Sequence, residues 1–514
     1  MGLEDYITRA RKNGSSSSSS EVNTNSDKAT SHVVSVKHID DGNAGVAMHH
    51  EWTPPDQKEL RRLLWKLDLR IVPYVSLLYL VSFLDRVNIG NAKIAGLMED
   101  TNMTEYEYGW SLSIFFVAYI VFEIPSNLAL KRLGARIWIP IIMGVWGVIM
   151  MAMAAAKSGR ELMVARFFLG AAESGLYPGI WWYLSTWYTR RELTTRIAFY
   201  FGSSTLAGAF GGVLAYGIMH MKGLQGLNGW QWIFIIEGIP PLILAITSYF
   251  VLADGPATAS FLSSREREIA VKRLEVDAGP ATDTKFSWKE CWDGIVDWKI
   301  NYFALMNLGG LIPMFSISMF MPQIVKDMGF SSINAQAMTV PPYAVAFVIC
   351  IIVALNADRM FERGWHSAFA SFIGVIGYLL LIVLKDKGIA GLYVGTILAT
   401  IGSFAQLAPR AAWGSGCIGG HTKRAVGVAM ISNIGNISGA LASTIYQDDD
   451  APHYVRGHAV CLGTCAAVSI MCIALKYILK YINKRRDRLS PEEYQKACQG
   501  EHLGDAHPDF RYVH

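Results

Sequence analysis

The chain has 514 residues, 52% of them hydrophobic and 17% charged, where a soluble domain carries about 25% charged residues. That balance excludes an ordinary soluble enzyme. The net charge of +4, spread between apolar runs rather than pooled in one patch, excludes a nucleic-acid partner.

Residues 1–55 open with MGLEDYITRARKNGSSSSSS, which has no apolar core for a signal peptide. Tyr6 stands where a myristoylation signal needs Ser or Thr. Too little apolar side chain is present to order this stretch, so a disordered tail is expected. Apolar runs long enough to span a bilayer, about 20 residues each, then recur near 70–92, 108–130, 136–156, 161–185, 196–219, 231–252, 301–325, 336–357, 365–385, 390–412, 424–446 and 457–481. The expected fold is an all-α polytopic membrane protein of twelve transmembrane helices. A polar segment, 253–300, separates six spans (56–252) from six more (301–483), and carries a helical charge pattern around Arg265 to Glu275. A basic tail, 484–514, follows.

Alternate connectors carry Lys131, Arg132 and Arg136, then Arg190, Arg191 and Arg196, then Arg359 and Arg363, then Lys423 and Arg424. The positive-inside rule puts these connectors and both termini in the cytosol. The halves echo each other. The basic turns LKRLGAR and NADRMFERG lie six spans apart, and Gly208/Gly212 in span five match Gly435/Gly439 in span eleven, a spacing that lets helices approach closely. Two six-helix halves with a site at their interface is the architecture of major facilitator transporters. The turn ADRMFERG, with Asp358, Arg359 and Arg363, resembles that superfamily's cytoplasmic gating motif, while LKRLGAR lacks the acidic residue.

Ionisable groups inside spans are expensive and are functional by default. Asp85 and Arg86 lie in span one, Glu123 in span two, Arg166 and Glu173 in span four. Arg166 and Glu173, seven residues apart, share a helix face about 10 Å apart and cannot meet. Crossed ion pairs are therefore expected, Arg86 with Glu173 and Asp85 with Arg166. Protonating Asp85 or Glu173 would free an arginine, Arg86 or Arg166, for a carboxylate substrate. Arg410, near the inner end of span ten, is either a second anion contact or an arginine snorkelling to the inner face.

The stretches FLDRVNIGNAKIAGL, FEIPSNLALKR, RFFLGAAESGLYPG, GWQWIFIIEGIPP, MGFSSINAQAMTVPPY and GHTKRAV resemble the fungal allantoate and nicotinate permease group of the anion:cation symporter family, from about Trp65 to Arg488. The resemblance implies plasma-membrane uptake of a small organic anion with a proton, Asp85 and Glu173 as proton sites, and Arg86 as a carboxylate contact. By approximate register it adds Tyr119, Trp413 and Asn433 as pocket residues. Where the group commonly shows paired asparagines this chain has WGSGCIGGHTKRA, so substrate identity does not carry over. Export of an acidic metabolite and a non-transporting nutrient receptor are the competing readings.

Asn102-Met103-Thr104 is a glycosylation sequon in a connector expected outside. The seven cysteines have no zinc or redox spacing and read as apolar fillers. No catalytic or nucleotide motif stands where it would need to. No enzyme, cofactor or metal is expected, and a monomer is.

Overall fold

The computed structural model describes residues 55–278, 288–419, 421–498 and 504–513. The tail expected at 1–55 lies almost wholly outside the described residues, as does 279–287 of the central segment. All twelve expected spans are helical. Span one is Gln57–Ile94, two Glu105–Leu133, three Ala135–Ala152, four Gly159–Glu173 followed by Leu176–Ser185, five Arg190–Met219 and six Gly229–Val251. Span seven is Trp298–Asp327, eight Ser332–Met338 followed by Val340–Met360, nine Gly364–Val383, ten Ile389–Ala405 followed by Leu407–Gly416, eleven His421–Ala442 and twelve Val455–Arg486. Ten of these, among the described residues, are long and apolar enough to cross a membrane by themselves. Span eleven contributes a shorter apolar stretch, Val426–Ala442.

Caps explain where the helices start. Thr104 opens span two with a reciprocal bond to Glu107, the capping box that satisfies two otherwise orphaned backbone donors. Asp56 caps span one and Asp297 caps span seven. Span four breaks at Ser174–Gly175, where a side chain on Gly175 would meet the Ser126 hydroxyl at 1.9 Å. That serine accepts the Trp138 indole N–H at 3.0 Å, so spans two, three and four lock together at the break.

Span one begins and span twelve ends on the same face, here the terminal face; the opposite one is the distal face. The halves touch most closely toward the distal face. A Cβ on Gly90 would meet the Met319 carbonyl oxygen at 2.2 Å, one on Gly212 the Thr339 hydroxyl at 2.2 Å, and one on Gly439 the Phe116 ring at 2.2 Å. Gly208 similarly abuts Tyr343, and Gly435 abuts Asn307 within the second half, so both glycine pairs serve close approach. Ser113 and Ser443 share a hydrogen bond of 2.5 Å, and Gln336 donates to the Asn91 carbonyl at 3.2 Å.

The central segment does form the expected helix, Ser264–Ala278, followed by Trp288–Val296. Its first helix is tied to the first half, through Glu266 to Lys66 at 2.7 Å and Arg273 to Glu192 at 2.9 Å. The second helix packs on span eleven, with Gly294 against Val426 and Lys423.

The two basic turns solve the same problem with different residues. In the second half, Arg363 approaches Asp358 at 3.7 Å and donates to the Ala412 carbonyl, while Arg359 is exposed. Asp358 also accepts from Thr195 of the first half at 3.4 Å. In the first half the acid absent from LKRLGAR comes from the end of span six. Asp254 accepts from the Arg136 backbone N–H at 3.0 Å and closes on Gly134, whose φ of 82° suits glycine.

Candidate functional site

Span one carries the site's first charges because its last stretch of nearly four turns, Val81 to Ile94, is buried on all sides. Asp85 and Glu173 are fully buried, Arg86 is 3% exposed and Arg166 fully buried. Arg86 and Glu173 form the expected ion pair across spans one and four. Ser82, one turn before Arg86, donates to the same Glu173 oxygen, Oε1. The other, Oε2, has no hydrogen-bond partner. The Arg86 guanidinium lies over the Tyr119 ring at 4.9 Å and the Phe115 ring at 5.6 Å, so Tyr119 reaches the charged cluster by a cation–π contact.

The second crossed pair does not form. Among the described residues no ion pair joins Asp85 to Arg166. Asp85 instead accepts the Trp146 indole N–H from span three at 3.1 Å. Arg166 points at span two, its Cζ 4.8 Å above the Phe115 ring and its Nε donating to the Ser111 carbonyl at 3.4 Å. The reason is helical geometry: consecutive residues diverge by about 100°. With Arg86 turned toward span four, Asp85 must face spans three and six. There it meets Glu237 of span six, a fully buried carboxylate that sequence reasoning passed over. An ionisable residue inside the apolar run IFIIEGIPPLIL was signal enough to find it.

The second half supplies an unmatched cation. Arg410 is 3% exposed, which excludes snorkelling to the inner face. Its guanidinium is held by two amide oxygens, Gln406 Oε1 at 2.8 Å and Asn307 Oδ1 at 3.1 Å. No acidic side chain among the described residues pairs with it. The backbone of span seven gives it room, since a Cβ on Gly310 would meet Nη1 at 1.9 Å.

Between these poles the halves meet through polar side chains. Asn436 of span eleven donates to Glu123 of span two at 3.3 Å. Asn433, one turn earlier, is half-buried with its side-chain oxygen unpartnered. Trp413, expected in the pocket, lies elsewhere: its indole donates to the Val513 carbonyl at 2.8 Å and its ring packs on Phe303 near the terminal face. Trp413 lies nearly one turn beyond Arg410, about 60° away around the helix and closer to the terminal face, where it meets the C-terminal segment while Arg410 meets spans seven and ten.

That segment is itself well anchored. Tyr512 exchanges backbone bonds with the Asn483 side chain at 2.9 and 3.1 Å. Asp505 receives Lys299 and Lys423, both at 2.8 Å. Burial pushes the Asp505 carboxyl up, but the bonds from the two lysines outweigh it and hold the group below the usual carboxylate range. At the distal face Asn102 of the sequon is exposed with φ 48°, and its threonine, Thr104, is the cap of span two.

A family model described as Major Facilitator Superfamily matches residues 75–443. The chain is 38% identical over 465 residues to the MFS transporter prlL of Fungal sp. (strain NRRL 50135), covering 89% of this chain and 94% of that one. It is 34% identical over 379 residues to a putative tartrate transporter of Agrobacterium vitis, covering 74% and 83% respectively. Among solved structures it is similar to the proton:xylose symporter XylE bound to 6-bromo-6-deoxy-D-glucose, with a TM-score of 0.62 over 80% of this chain and 94% of that one. At 14% identity that likeness speaks for the fold alone.

Proposed function

Because the chain belongs to the Major Facilitator Superfamily, and is thus a multi-pass secondary transporter rather than an enzyme, we propose that it imports a small organic anion together with a proton. Within the superfamily we assign it to the anion:cation symporters, on the span-one and span-four stretches that hold the buried charges. The relative named a putative tartrate transporter supports a carboxylate as the cargo class.

The observation that carries this reading is the imbalance among the three buried guanidiniums, of which Arg166 and Arg410 have no acidic partner among the described residues. Arg86 is neutralised by Glu173, whereas Arg410 has only neutral amide oxygens. A buried charge without a counter-charge is costly, and an anion entering between the halves would supply one. Protonation of Glu173 removes the carboxylate that holds Arg86, and a substrate carboxylate takes its place in the bidentate geometry guanidinium favours. Tyr119 and Phe115 keep the freed guanidinium in position. Asn433, with its free oxygen, and Arg410 face the anion from the second half. Arg166 contributes positive potential without a direct contact. Release restores the Arg86–Glu173 pair, so that pair returns neutral in the empty carrier.

We assign the terminal face to the cytosol on the basic connectors and the membrane to the plasma membrane, with residues 56–252 and 301–483 as the two moving halves of a monomer. Asp358 and Arg363 act as a latch on that face through Thr195.

Purified protein in liposomes tests the reading. With acid outside, tartrate, nicotinate, allantoate and pantothenate are offered in turn, and internal pH and radiolabel are followed. Accumulation of one of them coupled to proton entry supports symport. Binding without flux would favour a receptor, and accumulation driven from the terminal face would favour an exporter.

A further inference from the structure

Glu237 and Asp85 occupy a second buried site on the side of span one away from Arg86. Both are fully buried. Neither Glu237 oxygen has a hydrogen-bond partner, and Asp85 Oδ1 has none either. Asn88, one turn beyond Asp85 and also fully buried, lies beside Glu237 with its own side-chain oxygen unpartnered. Its amide nitrogen contacts Met150 sulfur at 3.8 Å and is also a donor on the Glu237 side.

Spans three and six pack closely beside this cluster. A Cβ on Gly238 would meet Met151 Cγ at 2.5 Å, and one on Gly147 would meet Leu242 at 2.9 Å. Spans three and six are thus in contact beside Glu237 and next to Trp146. The charged groups facing Asp85 are Glu237 from span six and Glu173 and Arg166 from span four. Span three offers it only the Trp146 indole. No cation forms an ion pair with Asp85 or Glu237 among the described residues.

The site therefore holds more acceptors than donors: beside the Trp146 indole N–H and the Asn88 amide, both Glu237 oxygens, Asp85 Oδ1 and Asn88 Oδ1 remain without a partner. A carboxylate can only accept, and so can the Asn88 and Asp85 oxygens left over, whereas a protonated carboxyl donates. Two bare carboxylates that act on each other across a water-poor space would also repel each other. We propose that Asp85 and Glu237 form a proton-binding carboxyl dyad, distinct from the Arg86–Glu173 pair, with Asn88 as an acceptor for the bound proton. Asp85 adjoins Arg86 in sequence and faces Glu173 electrostatically, so a proton held by the dyad is set beside the ion pair that responds to substrate. The dyad's role in transport rests on the symport reading; its capacity to hold a proton does not.

Infrared difference spectroscopy of the full chain in lipid nanodiscs, titrated from acid to alkaline pH without any substrate, tests the site. The wild type should show a carbonyl band from protonated carboxyl groups. Glu237→Gln should lose one component of that band. Asp85→Asn should keep the Glu237 component but shift the pH at which it disappears, because its neighbour no longer carries charge. An unchanged band in Glu237→Gln overturns the proposal, as does an Asp85→Asn protein whose Glu237 component titrates as in the wild type. If Glu237→Gln fails to fold, the comparison of wild type with Asp85→Asn decides alone. Absence of proton-coupled flux in liposomes with the dyad signature intact would sink the symport reading and leave this site standing.

Discussion

Replacing Glu173 by Gln isolates the ion pair on which anion binding depends. The amide is isosteric and can still accept from Ser82 and Arg86 through its oxygen, so spans one and four should remain packed. What is lost is the charge that competes with substrate for Arg86, itself 3% exposed. A hydrogen bond to a charged group contributes about 1.5–3 kcal/mol and one between neutral groups about 0.5–1.5 kcal/mol. The difference, roughly 1–2 kcal/mol, corresponds to anion binding tighter by about five- to thirtyfold. The same change removes the proton-linked step. In liposomes Glu173→Gln should therefore exchange internal for external anion while failing to concentrate it. Calorimetric titration with whichever of the four test carboxylates the wild type accumulates should give the tighter affinity, with little dependence on pH. Weaker binding, or an affinity that still follows pH as the wild type does, would refute the competition between Glu173 and substrate.

Gly310→Ala should mimic loss of Arg410, because the new methyl would stand where the guanidinium now lies. Uptake is expected to fall at least tenfold while the protein stays monodisperse in size-exclusion chromatography. Asp505→Ala removes one of two carboxylates shared by Lys299 and Lys423, the other being Asp297 at 3.0 and 2.5 Å, so the loss stays below the roughly 3 kcal/mol of a fully broken buried pair, and hydrogen exchange should rise throughout 504–513. In the wild type the Asp505 carboxyl is held low in the folded state. Its contribution is thus fully present above the unfolded value of about 3.9 and lost only as pH falls through the lower folded value. Exchange at 504–513 should stay slow down to about pH 4 and rise below it. Asn102→Gln should abolish a glycosidase-sensitive mobility shift if the distal face is extracellular; a wild type with no such shift would remove that site.

The twelve spans were legible because each needs only a run of apolar residues, and lipid leaves the backbone no alternative to a helix. The breaks in spans four, eight and ten were not, since composition does not change across Ser174–Gly175, and the break depends on Ser126 and Trp138 from other helices. The Arg86–Glu173 pair followed from charge alone. The Asp85–Arg166 pair was wrongly expected because pairing by charge ignored the direction in which adjacent residues leave a helix. Glu237 was visible in the sequence and overlooked. Asp254, which stands in for the acid missing from LKRLGAR, was beyond reach, as was the docking of Asp505 and Tyr512. Both depend on contacts between chain segments far apart in sequence, with no repeating pattern to announce them.

The glycines at the distal seam carry a consequence for how such a carrier could be tuned. Gly90, Gly212 and Gly439 abut Met319, Thr339 and Phe116, all uncharged, and each lets one half rest against the other with no side chain of its own between them. A single methyl at any of them would act as a doorstop, penalising the shut seam while leaving the seam's open form untouched. A carrier's apparent appetite for its cargo scales with the fraction of molecules in the receptive shape. Sidedness and affinity could thus drift through these three positions without a single alteration to the chemistry that recognises the anion.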